Sequence, residues 1–222
     1  MKVIEIEKLS HTYQDGLKKK KVLKEVSIDF EKGKFYAILG ESGSGKTTLL
    51  SLIAGLDRVQ KGSIKFKGKE IKDIGLTNYR LKHVNIVFQS YNLIQYMTAV
   101  ENIVTALDIT KIKIENKTRK EYAYELLESV GIDRETASRT VLKLSGGEQQ
   151  RVAIARSMAG DVSIILADEP SGNLDEDTEN KIIGIFKKLK KEGKTIIVVT
   201  HSKNVAKNAD VIYKIKGGKI IK

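Results

Sequence analysis

A stretch near the start of the chain, Gly40–Thr48, contains the residue types needed to hold a polyphosphate. It reads GESGSGKTT and fits the pattern G-x-x-x-x-G-K-[ST], with Gly40, Gly45, Lys46 and Thr47 at the fixed positions. Glycines allow successive backbone N–H groups to point at phosphates, the lysine adds a positive charge, and the threonine hydroxyl can bind Mg²⁺. The stretch therefore predicts a nucleotide-binding loop.

Two adjacent carboxylates, Asp168 and Glu169, directly follow the apolar run at 164–167. In a phosphoryl-transfer site, the first carboxylate can hold Mg²⁺ and the second can orient or deprotonate the attacking water. Because neighbouring side chains of an extended chain point to opposite sides, we expect the two acids to have different roles. The alternative, a surface acidic pair, is disfavoured by the apolar residues before it.

A second anion-binding helix start is predicted at residues 144–150, which read LSGGEQQ. Ser145 is a candidate N-cap, and Gly146 and Gly147 offer free N–H groups at the positive end of the helix dipole. One nucleotide rarely needs two such helix starts in one chain. We therefore expect the second to complete a site on another copy, with ATP at a dimer interface.

Three further side chains are candidates because of their position along the chain. His201 follows a predicted strand, where ligands bind in a parallel sheet, and a hydrogen bond to the terminal phosphate or to Glu169 is expected. Gln89 follows another predicted strand, and its amide can contact Mg²⁺ or the attacking water. Tyr13 can stack on a purine, although an aromatic residue at such a position is as often part of a core.

The pattern of apolar residues predicts the elements that position these side chains. Alternating and continuous apolar runs indicate strands, and apolar residues at helical spacing indicate helices. The predicted strands are 3–7, 22–30, 35–39, 62–66, 69–71, 85–88, 163–167, 195–200 and 211–215, and the predicted helical segments are 47–54, about 98–156, 176–191 and 203–209. Strands that alternate with helices predict a mainly parallel sheet with the ligand at its carboxyl ends.

These elements predict an α/β fold of the P-loop NTPase type with an N-terminal antiparallel β subdomain and an inserted helical subdomain. We expect one domain over residues 1–222. Its nucleotide-binding core and antiparallel β subdomain comprise 1–89 and 160–222, and its helical subdomain comprises 90–159. A chain of 222 residues can bury a core without cross-links.

Composition narrows the classes of function. The chain has no cysteine, which excludes disulfides and thiolate metal sites and suits a reducing cytoplasm. The apolar runs are far shorter than the roughly 20 residues of a bilayer helix, and the N-terminus lacks the apolar core of a signal peptide. The net charge of +12 comes mainly from scattered lysines, including a run at 18–21. Scattered lysines favour a solvated surface over a dedicated nucleic-acid face.

Taken together, the motifs resemble those of the ATP-binding subunits of ABC transporters, in order along nearly the whole chain. By resemblance, 40–48 is the Walker A motif, Gln89 the Q-loop, 144–150 the signature, 164–169 the Walker B strand, 171–175 the D-loop and His201 the switch histidine. The resemblance implies ATP and Mg²⁺ as cofactors. The implied nucleotide contacts are Tyr13, Gly40, Ser42, Gly43, Ser44, Gly45, Lys46, Thr47, Thr48, Gln89, Ser145, Gly146, Gly147, Glu148, Gln149, Asp175 and His201. The implied metal ligands are Thr47, Gln89 and Asp168. The implied catalytic residues are Glu169, His201, Gln89 and Lys46.

The resemblance also implies an assembly. Two subunits would close head to tail around two ATP molecules, with each signature loop capping the γ-phosphate held by the partner's Walker A motif. Hydrolysis would reopen them and act, through the helical part beside Gln89, on a separate membrane permease. The protein would then be cytoplasmic and peripheral on the inner face of the cell membrane, and no specific nucleic acid is expected as a partner.

Residues 168–175, with Gly172-Asn173 where many members have Ser-Ala, are similar to the branch that serves lipoprotein release, macrolide efflux and antimicrobial-peptide export. Residues 55–57 and 91–93 indicate the same branch. A division-type or transmembrane-signalling ATPase has the same architecture and stays an alternative. A DNA- or ribosome-associated ATPase is disfavoured, because the segment between Lys46 and Ser145 is too short for a long coiled coil and the chain has one ATPase cassette.

Overall fold

A computed structural model describes residues 1–16, 18–172 and 174–221. The strands are β1 (Lys2–Asp15), β2 (Lys18–Glu31), β3 (Phe35–Leu39), β4 (Lys61–Phe66), β5 (Lys69–Glu70), β6 (Val84–Val87), β7 (Ile164–Asp168), β8 (Thr195–Thr200), β9 (Val211–Lys216) and β10 (Lys219–Ile221). The helices are α1 (Lys46–Ile53), α2 (Ile71–Ile74), α3 (Leu76–Lys82), α4 (Ala99–Thr110), α5 (Arg119–Ser129), α6 (Arg134–Ala137), α7 (Gly146–Met158), α8 (Glu176–Lys191) and α9 (Lys203–Lys207), with a short 3-10 turn at Val141–Lys143.

The larger sheet has six strands in the order β10-β9-β3-β8-β7-β6, and only β10 runs antiparallel to its neighbour. Its central strands β7 and β8 are buried along their whole length, which explains their continuous apolar and β-branched sequences. Strands β3, β8 and β7 are neighbours and end at the same edge. The residues that follow them therefore meet there, as the sequence predicts.

The smaller sheet is antiparallel and has the order β2-β1-β4-β5. Strands β1 and β2 form a hairpin that is longer than predicted, because cross-strand pairing continues past the apolar residues to the pairs Tyr13–Lys20 and Asp15–Lys18. The lysine run at 18–21 is thus part of a strand. Together, the two sheets and the inserted helices confirm the predicted fold class.

Helices α4 to α7 lie in the segment predicted to be helical. Thr98 and Ser145 begin α4 and α7 with capping boxes, in which the hydroxyl accepts from the N–H three residues on and that residue's Glu side chain accepts in return. Their apolar residues belong to one core cluster with Val87 of β6 and Ile165 of β7. Since the helices and the larger sheet share a core, the boundaries at 90 and 159 stay a prediction.

Several short elements were missed by the sequence. Helices α2 and α3 have 4 and 7 residues, which is too short for apolar periodicity to be recognised. Strand β10 has 3 residues, two of them exposed. None of the helices in the described ranges is long and apolar enough to cross a membrane.

Candidate nucleotide-binding and catalytic site

The phosphate loop connects β3 to α1. Gly45 caps α1 with a φ of +103°, and Gly43 has a φ of +75°, so both occupy conformations that favour glycine. Gly40 is needed for a different reason. A Cβ on Gly40 would lie 2.5 Å from the carbonyl oxygen of Ile215 in β9. The glycine at position 40 therefore allows the neighbouring strand to approach the loop.

The Lys46 side chain lies in the middle of this loop and is only 7% exposed. Its ammonium donates hydrogen bonds to the carbonyl oxygens of Gly40 (2.8 Å) and Glu41 (3.0 Å). It also lies 3.4 Å from Oε1 of Glu169. These contacts fix a positive charge between the loop and the carboxylate that follows β7.

Asp168 ends β7 and is buried. Burial raises the pKa of its carboxyl, against the smaller opposing effect of a hydrogen bond from the Thr47 hydroxyl at 3.2 Å. A divalent cation beside this carboxylate would offset its desolvation. Carboxylate, hydroxyl and the amide oxygen of Gln89 are the hard oxygen donors that Mg²⁺ prefers, so these residues fit the metal.

Glu169 is not placed as the sequence predicts. Strand β7 ends at Asp168, and Glu169 has a φ of +44°, so the alternation of an extended chain does not apply to it. Such a left-handed residue costs of order 1–3 kcal/mol and is typical of functional sites. Its Oε2 atom lies 3.0 Å from Nδ1 of His201 and accepts the His201 backbone N–H at 3.2 Å. With Lys46 near Oε1, both oxygens of the carboxylate are held.

Lys46, Glu169 and His201 line a cavity of about 700 Å³, a volume suited to a small-molecule ligand. The lining residues that the sequence predicts are Ser42, Gly43, Gly45, Lys46, Thr47, Thr48, Gln89, Glu169 and His201. Six more lining residues were missed, namely Lys20, Lys21, Val22, Lys24, Gly217 and Gly218. The lysine run was the one sequence signal for part of this second group, and it was interpreted as a solvated surface.

Two predicted nucleotide contacts, Ser44 and Tyr13, are not among the residues that line the cavity. Ser44 is buried, and its hydroxyl has no hydrogen-bond partner in the described part of the chain. Tyr13 is 44% exposed, and its ring packs edge-on against His11 with 4.7 Å between ring centroids. Tyr13 pairs across the hairpin with Lys20, which lines the cavity. Stacking of Tyr13 on a purine stays a prediction.

The start of α7 is a capped helix N-terminus, in which Ser145 is exposed and residues 146–149 are partly buried. The Ser145 hydroxyl accepts from the Glu148 N–H, and Oε2 of Glu148 accepts from the Ser145 N–H at 2.8 Å, which lowers the pKa of the Glu148 carboxyl. The Gln149 amide donates to the Leu144 carbonyl at 2.9 Å. Among the described residues, no acceptor contacts the N–H groups of Gly146 and Gly147, and residues 145–149 do not line the cavity.

Asp175 lies at the start of α8 and acts there as a helix cap. Its carboxylate accepts hydrogen bonds from the N–H (2.9 Å) and the hydroxyl (2.8 Å) of Thr178, which lower its pKa. Thr178 in turn contacts the start of α7, because a Cβ on Gly147 would lie 2.5 Å from its Cγ2. Asn173, in the same predicted loop, lies outside the described residues.

Known proteins are similar to this chain in sequence. The family model described as ABC transporter matches residues 23–172. The uncharacterised ABC transporter ATP-binding protein YclH of Bacillus subtilis is 46% identical over 219 residues, which are 98% of this chain and 95% of that protein. The macrolide export ATP-binding/permease protein MacB of Mannheimia succiniciproducens is 42% identical over an alignment of 225 positions, which covers 100% of this chain and only 34% of that protein.

A solved structure gives the same result. The ATP-binding cassette MJ0796 of Methanocaldococcus jannaschii, in a dimeric post-hydrolysis state bound to ADP and Pi, matches with a TM-score of 0.91 and 36% identity. The match covers 99% of this chain and 97% of that chain. The chain therefore belongs to the ABC transporter family, as an ATP-binding subunit with ATPase activity.

Proposed function

We propose that this subunit closes head to tail with a second copy around two ATP molecules and thereby drives a separate membrane permease. One observation carries the proposal. The cavity beside the phosphate loop contains Lys46, Glu169 and His201 in one connected cluster, but within the described residues the second anion-binding helix start, at 145–149, does not contribute to it.

In the proposed reaction, water attacks the γ-phosphorus of ATP, the bond to the ADP oxygen breaks, and the Glu169 carboxylate receives the proton from the water. Lys46 stabilises charge on the outer phosphates. His201 holds Oε2 of Glu169 through its ring and its backbone N–H, and so orients the carboxylate. When bound, Mg²⁺ would supply further positive charge, held by Thr47, Asp168 and Gln89.

Support for the dimer comes from the start of α7 and from a relative. Among the described residues, nothing accepts the N–H groups of Gly146 and Gly147, which lie at the positive end of a 13-residue helix and are suited to a phosphate held by another copy. The related cassette MJ0796 is itself a dimer in its ADP- and Pi-bound state. In our proposal, the partner's γ-phosphate contacts this helix start.

We propose that the permease contacts a groove beside β6, the strand that leads to Gln89. The groove has a volume of about 290 Å³ and lies between the larger sheet and the helical part. Its lining includes the exposed side chains of Leu81 and Ile109 and the guanidinium groups of Arg80 and Arg156. A permease bound there would place the subunit on the inner face of the cell membrane.

For the cargo, we propose export or extraction of a peptide, a lipoprotein or an antimicrobial compound. The 42% identity to MacB, named for macrolide export, supports this class, as do the sequence features at 55–57, 91–93 and 172. MacB is an ATP-binding/permease protein, and this chain matches about a third of it. The permease is proposed as a separate chain because YclH, an ATP-binding protein, is matched over 95% of its length.

The variant Glu169→Gln tests the proposal. It keeps the shape of the side chain but removes the base, so we expect ATP hydrolysis to fall by about 100-fold or more. The variant should bind ATP and accumulate as an ATP-bound dimer, which gel filtration with ATP and Mg²⁺ would detect. Glu192→Gln, an exposed position after α8, is the matched control and should resemble the wild type. A Glu169→Gln protein that stays monomeric and hydrolyses ATP at the normal rate would refute the proposal.

A further inference from the structure

Strand β2 of the β1–β2 hairpin borders the nucleotide cavity beside the phosphate loop. Lys20, Lys21, Val22 and Lys24 of β2 all line the cavity, together with the Gly217-Gly218 turn between β9 and β10. None of these residues belongs to the motifs identified above. Their position therefore needs a structural explanation of its own.

The turn between β9 and β10 fixes β2 against the phosphate loop. The Gly218 N–H donates to the Ser44 carbonyl at 3.1 Å, and the Gly218 carbonyl accepts from the Lys24 N–H at 2.8 Å. Gly218 has a φ of +80°, and a Cβ there would lie 2.2 Å from the Val22 carbonyl oxygen. One glycine thus links the loop that cradles phosphate to the strand that carries the lysines.

The same strand also packs directly on the start of α1. A Cβ on Gly45 would lie 3.0 Å from both the Val22 carbonyl oxygen and Cδ2 of Leu23. Leu23 is fully buried, so β2 is held in place at this point. The lysines next to Leu23 are therefore carried by an ordered strand at the edge of the phosphate loop.

The charges around the cavity are unbalanced. Lys46 lies near Glu169, which is the one acidic residue among the described residues that line the cavity. Within the described side chains, the ammonium groups of Lys20, Lys21 and Lys24 form no ion pair. Three positive charges at the rim of one cavity favour a polyanion over a neutral ligand.

We propose that Lys20 and Lys21, aided by Lys24, bind the phosphates of the nucleotide from the edge of the cavity that β2 forms beside the phosphate loop. The proposal rests on ATP being bound in this cavity. The lysines increase affinity by charge attraction, and their effect grows with the number of phosphates. They therefore favour ATP and ADP over AMP, and they do not take part in the hydrolytic step.

The double variant Lys20→Gln/Lys21→Gln tests this role. The matched control is Lys18→Gln/Lys19→Gln, which removes the same charge from exposed positions of the same strand that do not line the cavity. Nucleotide binding is measured by calorimetry in EDTA, which prevents hydrolysis. At about 20 mM salt, we expect the first variant to bind ATP about fivefold more weakly than the control, and AMP less than about twofold more weakly. At about 0.5 M salt, the difference for ATP should shrink to less than about twofold.

Equal affinities of the two double variants for ATP at low salt would overturn the proposal. So would an equal loss of affinity for ATP and AMP, because that would indicate a change in the shape of the site. Lys46→Ala separates these outcomes from a failure of the assigned site. If Lys46→Ala weakens ATP binding and the two double variants bind ATP with equal affinity, the cavity binds ATP without the hairpin lysines. If Lys46→Ala has no effect, ATP is bound elsewhere.

Discussion

Replacement of Arg156 by lysine should weaken the link between the Gln89 segment and α7. Tyr91 and Asn92 follow Gln89 closely and have φ values of +61° and +50°, two consecutive left-handed residues that are not glycine. Arg156, near the end of α7, donates from Nη2 to the Tyr91 carbonyl at 2.9 Å and from Nη1 to the Asn92 carbonyl. Arg156 is partly buried, and burial lowers the pKa of its guanidinium.

The size of the effect follows from these contacts. Each left-handed residue costs of order 1–3 kcal/mol, and each hydrogen bond from a charged donor contributes about 1.5–3 kcal/mol. Lysine keeps the charge in place but lacks the planar fork that contacts both carbonyl oxygens of the turn. If Arg156→Lys loses one of the two bonds, the free energy of unfolding should fall by about 2 kcal/mol.

Urea unfolding monitored by circular dichroism measures this change. The matched control is Arg139→Lys in the same helical part, where, among the described residues, the guanidinium pairs with exposed Glu135 alone. The free energy of unfolding should change little in this variant. Because the Tyr91-Asn92 turn joins Gln89 to α7, ATP hydrolysis at saturating ATP should also slow in Arg156→Lys. Equal unfolding free energies for the two variants would refute the claim that Arg156 stabilises a strained turn.

Two further predictions concern other packed contacts. Gly147→Ala should impair ATP-dependent dimerisation in gel filtration, because its Cβ would meet Cγ2 of Thr178 at 2.5 Å. Thr178→Ser removes that methyl group and should restore dimerisation; no rescue would exclude this clash as the cause. Burial pushes the pKa of Asp210 up, but bonds from the Lys190 ammonium (2.6 Å) and the Phe35 N–H (2.8 Å) hold it below its usual value. Asp210 thus stabilises the fold above about pH 4, and this contribution is lost as the pH falls through the folded-state pKa. Asp210→Asn should unfold at lower urea than wild type at pH 7, with a smaller difference near about pH 3; a difference independent of pH would contradict this assignment.

The elements that the sequence predicts best are those whose signal is local. Strands β3 and β8 and helix α8 have the predicted bounds. The two strands are continuous apolar runs buried in the sheet, and α8 has a capping Asp175 and charges that suit the helix dipole at both ends. The motif residues follow parallel strands, and the carboxyl ends of these strands share one edge of the sheet. The sequence therefore predicts that these residues lie together.

The parts that were missed depend on contacts between distant residues. The lysines of β2 line the cavity because Gly218, almost 200 positions later, bonds to both Ser44 and Lys24. The left-handed backbone of Glu169 depends on His201 and on the Val199 carbonyl, which accepts its N–H at 2.9 Å. Charge patterning and strand alternation describe only neighbours along the chain, so they could not give either arrangement.

The two ends of helix α7 lie in different functional regions of our proposal. At its start are the N–H groups of Gly146 and Gly147, for which the described residues provide no acceptor. Near its end, Arg156 holds the turn after Gln89 and lines the groove proposed for the permease. A helix of 13 residues is about 20 Å long. In the proposed dimer, a phosphate bound at the start of α7 would act through this helix on both the groove and the segment that carries Gln89. In the proposed dimer, one helix would thus connect the partner's nucleotide with the surface proposed for the permease, and Arg156 is the side chain that connects this helix to the segment after Gln89.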